Sequence, residues 1–301
     1  MMIIDDTAME KFGINMENIS GVRTTKGRIG IGHVAFLACV HLPEITIPIA
    51  CRPWVPSWVS GYESKVSMAI ATVKHFARQA MKSNLNIAGM IVAFDSWYFA
   101  TELFRIIAMH RMIWITQSKS NRIFFLADQK GNPTIKMRAS DFIAQSKPMK
   151  LLNRKRVWYR NVGHCYLPKF GWVYATVVCD PKRNPEAFLL VSNNLRANGP
   201  WMIDKYYRRW KIETVIRDTK QSLGLSDFHM RHFSGISAHL CVCILNYMAL
   251  SWLKYSQNLN LSIGEMVHVI FHELIIKAAE YARHYSISQT VKPVDWLPIA
   301  V

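Results

Sequence analysis

Acids are the scarce residues in this sequence. Asp and Glu number 20 against 37 Lys and Arg over 301 residues, for a formal charge of +17. That imbalance points to a polyanion, most simply nucleic acid. The six cysteines, Cys39, Cys51, Cys165, Cys179, Cys241 and Cys243, include no CxxC pair. A zinc site and a disulfide framework are therefore not indicated, and reduced thiols in a cytosolic protein are expected. The start, MMIIDD, turns acidic where a secretory leader would be basic and then apolar. The longest apolar tract, 238–253, is interrupted by His239 and Asn246, so a buried core helix is expected there rather than a membrane span. No basic amphipathic anchor or lipidation motif speaks for a membrane surface. Repeats and low-complexity tracts are also missing. What is present is a folded composition, half hydrophobic and 12% aromatic, long enough for one large domain or a domain carrying an insertion.

The first residues, Ile3-Ile4 followed by Asp5-Asp6, read as a short buried strand that stops at paired acids. A Gly- and Lys-rich loop over 21–32 precedes two further strands at 34–40 and 45–50, a three-stranded meander. Helical periodicity covers 62–82, and an apolar run over 87–94 ends at Asp95. A helix at 99–110 and a strand at 112–116 follow. Three strands, helix, strand, helix, strand is the opening of a ribonuclease H-like α/β fold, with a mixed sheet flanked by helices. From 121 to 200 the texture changes to short strand-like runs broken by Gly, Pro and Asn, a β-rich insertion that divides the α/β core into 1–120 and 201–301. Between 136 and 160 this stretch has eight Lys or Arg against one acid, Asp141. Arg154, Lys155, Arg156 and Trp158 cluster there, a mixture suited to phosphate contact and base stacking; a solvated basic loop with Trp158 in a small core is the equal alternative.

Residues 206–220, YYRRWKIETVIRDTK, follow Asp204, a candidate N-cap, and read as a helix. At about 100° per residue, Tyr206, Arg209, Glu213 and Lys220 share one sector, with Ile212, Ile216 and Leu223 forming an apolar seam beside it. Beyond lie a loop with His229, Arg231 and His232, two long helices over 236–255 and 263–281, and an irregular end containing Pro293 and Pro298. Asp5, Asp95 and Glu213 stand out as three carboxylates that, if brought together, could hold two divalent ions by oxygen ligation, a task that suits Mg²⁺.

Tyr206, Arg209, Glu213 and Lys220 match Tyr-x(2)-Arg-x(3)-Glu-x(6)-Lys at every fixed position. That pattern resembles the signature of the DDE transposases of bacterial insertion sequences, the branch typified by insertion sequence four. Ile3-Ile4-Asp5-Asp6-Thr7 resembles the family's first-aspartate motif, Ile91-Val92-Ala93-Phe94-Asp95-Ser96-Trp97-Tyr98 its second. The resemblance implies a magnesium-dependent transposase, with Mn²⁺ as substitute, that cleaves and joins DNA strands at transposon ends. In it Asp5, Asp95 and Glu213 are the catalytic, metal-binding acids, and Asp5 is preferred to Asp6 because it holds the Asp of Asp-x-Thr. Tyr206, Arg209 and Lys220 grip DNA phosphates, and a tryptophan of the insertion, Trp158, Trp172 or Trp201, can stack on a flipped base. Transposon-end and target DNA are the implied partners, a homodimer in a synaptic complex the implied assembly, and the bacterial cytoplasm the implied location. Only four residues precede Asp5, where the family usually carries an end-recognition domain, so the resemblance leaves three readings: a truncated reading frame, a remnant, or a member whose end recognition lies elsewhere. A non-catalytic DNA-binding remnant and a ribonuclease H-like nuclease are the alternatives.

Overall fold

The computed structural model describes residues 1–23, 27–145, 147–182 and 184–287. Pro293 and Pro298 lie outside them. The strands, in chain order, are β1 (Met2–Lys11), β2 (Ser20–Arg23), β3 (Ile29–His41), β4 (Thr46–Trp54), β5 (Ile91–Phe94), β6 (Ile113–Gln117), β7 (Ile123–Ala127), β8 (Pro133–Arg138), β9 (Lys150–Leu152), β10 (Val157–Leu167), β11 (Gly171–Asp180) and β12 (Asn184–Ser192). The helices are α1 (Lys65–Lys82), α2 (Thr101–Met109), α3 (Ala139–Ala144), α4 (Gly199–Tyr207), α5 (Lys211–Ser222), α6 (Phe233–Ser256) and α7 (Ile263–Ile287). All the described strands join one mixed sheet in the order β2-β3-β1-β5-β6-β12-β11-β10-β7-β8, with β4 also on β3 and β9 also on β10. The β1–β5 and β5–β6 pairs are parallel and the rest antiparallel.

Several expectations from the sequence change. β1 does not stop at the acids: it runs ten residues, and Asp5 and Asp6 sit in its middle, paired with Leu37 and Phe36 of β3. The backbone hydrogen bonds of that long antiparallel pair outweigh the weak strand preference of adjacent aspartates. Part of the supposed Gly-rich loop is also strand, because β2 and the start of β3 form a hairpin (Ser20↔Gly32 to Arg23↔Ile29). The meander thus has four strands. The stretch 121–200 includes a helix, α3, and its strands extend the same sheet, since β12 pairs with β6.

Both faces of the sheet are covered. Under α1, α2 and α3 a continuous core runs from Met2, Ile4 and Phe36 through Phe94, Phe104 and Trp114 to Phe124, Phe142 and Val191. Phe104 and Trp114 stack with centroids 4.0 Å apart in its middle. On the opposite face α4 packs Met202 and Ile203 on Ala93, Ile115 and Leu190. Next to it α5 and α6 pack Ile212, Val215, Ile244 and Tyr247 on Ile3, Leu37 and Cys39. The seam of Ile212, Ile216 and Leu223 is therefore the docking face of α5. α6 is 24 residues, long and apolar enough by those two criteria to cross a membrane. It is not wholly buried: Ile236, Leu240, Cys243 and Ile244 are, while Val242, Leu245 and Trp252 are exposed.

Close pairing of β1 and β3 depends on Gly32, where a Cβ would lie 2.1 Å from the Met9 carbonyl oxygen. A methyl there must push the strands apart. Gly32→Ala is expected to lower stability by about 1–3 kcal/mol, read as a shifted midpoint in chemical denaturation.

Candidate active site

Alternation along β1 separates its two acids. Met2 and Ile4 belong to the core under α1 and α2, whereas Ile3 faces α5 and α6. Asp6 shares the first face: its carboxylate lies 2.6 Å from Lys65 Nζ and accepts a hydrogen bond from the Tyr98 hydroxyl at 3.3 Å. Asp5 shares the second and meets the helical segment above it. Asp95 follows β5 directly, and because Ile4 pairs with Phe94 in parallel register, Asp5 and Asp95 are the next residues on neighbouring strands. The Asp95 carboxylate accepts the Trp97 amide at 2.9 Å, which caps the tight turn Ser96–Tyr98. Its backbone carbonyl accepts the Thr116 hydroxyl of β6 at 3.0 Å.

The helix expected to begin after Asp204 starts earlier. Asn198 caps α4 by accepting the Trp201 amide, and Asp204 lies inside that helix, tied to Arg208 and Lys155. A 3₁₀ turn at Arg208–Trp210 then joins α4 to α5. The turn tightens the winding at Arg209 and aims its side chain down at the sheet. One guanidinium nitrogen lies 2.5 Å from Asp5 Oδ2, the other 3.3 Å from Glu213 Oε1, and the guanidinium carbon lies 5.7 Å from the Tyr206 ring centroid. Its Nε is buried without a hydrogen-bond partner. Glu213 itself is open, 51% of its side chain exposed.

Burial drives the Asp5 carboxyl up to about 7; Arg209 opposes that rise, while Asp95 and Asp6 add to it. Burial likewise raises Asp95, again against the pull of Arg209. Burial disfavours the Arg209 charge, yet Tyr206, Asp5, Glu213 and Asp95 together hold the guanidinium above its ordinary value. The Tyr206 phenol, buried beside it, is pushed up to about 12 and stays a hydrogen-bond donor. Asp5, Asp95, Glu213, Tyr206 and Arg209 are thus brought together, with the cation in the centre. Among the described residues no three His, Cys, Asp or Glu side chains stand grouped as a metal-holding set. The carboxylates expected to share metals instead surround Arg209. Their chemistry, oxygen donors only, is that of a site for a hard divalent cation.

Lys220 stands apart from this group. Its ammonium donates to the Ala8 carbonyl at 2.5 Å, and burial lowers its pKa. In this state it braces α5 on β1. Lys11, not anticipated from the sequence, makes the reciprocal brace from the end of β1: it donates to the Ser226 and Phe228 carbonyls at 2.6 Å each and lies 3.4 Å over the Phe228 ring. Of the basic insertion residues, Arg154 and Lys155 line a cavity of about 420 Å³ with Lys182, Arg208, Lys211, Tyr207 and Asp180. Arg208 and Lys211 were overlooked because they fall outside the spaced signature. Their proximity in sequence to Arg209 was the available signal. Arg156 is exposed in the same turn. Trp158 is exposed on β10 rather than part of a small core, whereas Trp172 and Trp201 are half-buried against Tyr166 and the α4 core.

Comparison with known proteins gives two findings. The family described as "Transposase DDE domain" matches residues 60–249. The fold is similar to that of a piggyBac transposase, seen by cryo-EM in a synaptic complex with hairpin DNA, with a TM-score of 0.53 and 10% identity over 97% of this chain. The chain spans 55% of that transposase. At such identity the likeness concerns the fold, a ribonuclease H-like sheet with flanking helices. No curated protein matches the sequence.

The raised carboxyl of Asp5 has a sign that can be checked. Its folded pKa of about 7 lies above the ordinary 3.8, so the native state keeps a proton that the unfolded chain has already lost. That contribution is fully present below 3.8, declines across the window and is gone once pH has risen through about 7. Denaturation midpoints should therefore fall between pH 5 and pH 8, and Asp5→Asn should flatten the fall.

Proposed function

The chain belongs to the transposase DDE domain family, and from that premise we propose that it cleaves DNA strands at the ends of an insertion-sequence-four-like bacterial element and joins them to target DNA. The observation that carries this reading is the adjacency of Asp5 and Asp95 on parallel strands, with Glu213 linked to Asp5 through Arg209. Asp5, Asp95 and Glu213 would hold two Mg²⁺ ions, or Mn²⁺ in their place. Such ions supply activation of a water or 3′-hydroxyl and stabilisation of the leaving oxygen at phosphorus.

The chain's own residues prepare that site. Asp5 must shed its proton to become a ligand, and Arg209 must release Asp5 and Glu213. Arg209 is then free to turn its orphaned Nε and its two terminal nitrogens to phosphate oxygens, a geometry that guanidinium matches. Tyr206 donates its hydroxyl to the same phosphate, and Lys220 leaves the Ala8 carbonyl to do likewise. Lys155, Arg154, Arg208 and Lys211 extend the phosphate track along the basic cavity, Arg156 continues it outward, and Trp158 offers an exposed ring beyond it. Paired DNA ends call for a homodimer; the exposed Phe271, Leu274 and Ile275 of α7 offer apolar surface for it. The cytoplasm, where chromosomal DNA lies, is the fitting location. A DNA-binding protein without turnover is the second reading, favoured by the hold of Arg209 on Asp5 and Glu213.

Labelled DNA with Mg²⁺ or Mn²⁺ separates the two. Glu213→Gln should cut cleavage by more than about a hundredfold, beyond what loss of a supporting residue costs, and leave DNA binding intact. Binding without any cleavage by the unaltered chain would favour the second reading. Lys155→Ala with Lys211→Ala should weaken DNA binding regardless of sequence and reduce the salt slope by about two.

A further inference from the structure

Trp97 is the most exposed aromatic side chain close to the carboxylates, at 68%. Its neighbours in the chain, Tyr98 and Phe99, are both buried in the core under α1 and α2. The turn that buries them turns Trp97 outward, and its position is fixed because its amide is held by the Asp95 carboxylate at 2.9 Å. An indole left in water gives up the burial that would stabilise it.

Two cations attend the ring. Lys119 Nζ, on the loop after β6, lies 4.9 Å from its centroid, and Lys65 Nζ, from the first turn of α1, lies 5.9 Å away. Lys65 is also placed by Asp6 at 2.6 Å and by the Trp54 ring at 5.5 Å. An exposed ring bearing ammonium groups has the two components of a single-strand site, a stacking face and phosphate counter-charges. This group comes from α1, the turn after β5 and the loop after β6, none of which belongs to the basic insertion.

We propose that Trp97 is a stacking platform for a base of the DNA strand as it enters the site past Asp95, with Lys119 and Lys65 taking the phosphates on either side of that base. The base displaces the Lys119 ammonium from the ring face, and the ammonium moves to the backbone. The proposal rests on the reading of the carboxylates as a DNA-cleaving centre. It adds a strand-positioning residue built from elements that do not line the basic cavity.

The test uses binding alone, in chelator, so that cleavage plays no part. Fluorescence anisotropy is measured with a labelled oligothymidylate and with an abasic oligomer of the same length, which has the phosphates without the bases. Trp97→Ala should weaken oligothymidylate binding by about fivefold to a hundredfold, the range for loss of one base–aromatic stack, and leave abasic binding unchanged. Trp97→Phe should recover most of the loss. Lys119→Ala should weaken both oligomers alike and reduce the salt slope by about one. Wild-type oligothymidylate affinity in Trp97→Ala, or equal loss on both oligomers, overturns the proposal. Trp97-dependent binding by a chain that never cleaves overturns only the catalytic reading, and cleavage with Trp97-independent binding overturns only the stacking platform. No binding of either oligomer overturns both.

Discussion

One buried guanidinium organises the acidic face of the sheet. Arg209 lies among Asp5, Asp95 and Glu213, pairs with Asp5 and Glu213, and opposes the rise that burial imposes on Asp5 and Asp95. Without it, two aspartates on adjacent parallel strands would bring like charge under a helical layer with nothing to offset it, a costly arrangement in low dielectric. With it, three acids are held together around one cation. The 3₁₀ turn between α4 and α5 is the local device that delivers the side chain. Lys11 and Lys220 hold the helical layer on β1 tightly enough for the meeting to occur.

Much of this was legible from residue types and spacing. The strand ending at Asp95, the amphipathic seam of α5 and the link from Arg209 to Glu213 follow from periodicities that local sequence obeys. Asp5 and Asp6 take opposite faces of β1, one meeting Arg209 and the other Lys65. The long-range terms were less legible. The extent of β1 is set by ten residues of β3, some thirty positions away, so a pattern of local propensity ends the strand at its acids. The early start of α4, under an Asn198 cap, was hidden because Asp204 is an equally good cap residue in isolation. The position of Lys220 on a backbone carbonyl has no signal in sequence at all.

The positive charge is not spread evenly over this architecture. One concentration joins the turn between β9 and β10 to the helical segment at Arg208 and Lys211, the other joins α1 to the loop after β6. They draw on different elements of the fold, and β6 stands between the strands of the two aspartates and the β12-β11-β10 side of the sheet.

The pairing of β12 with β6 has a mechanical consequence. β6 is the strand whose Thr116 holds the Asp95 carbonyl, and Val191 of β12 pairs with that same Thr116. A displacement of the β-rich stretch would therefore be carried through the backbone hydrogen bonds of one sheet to the strand that holds Asp95.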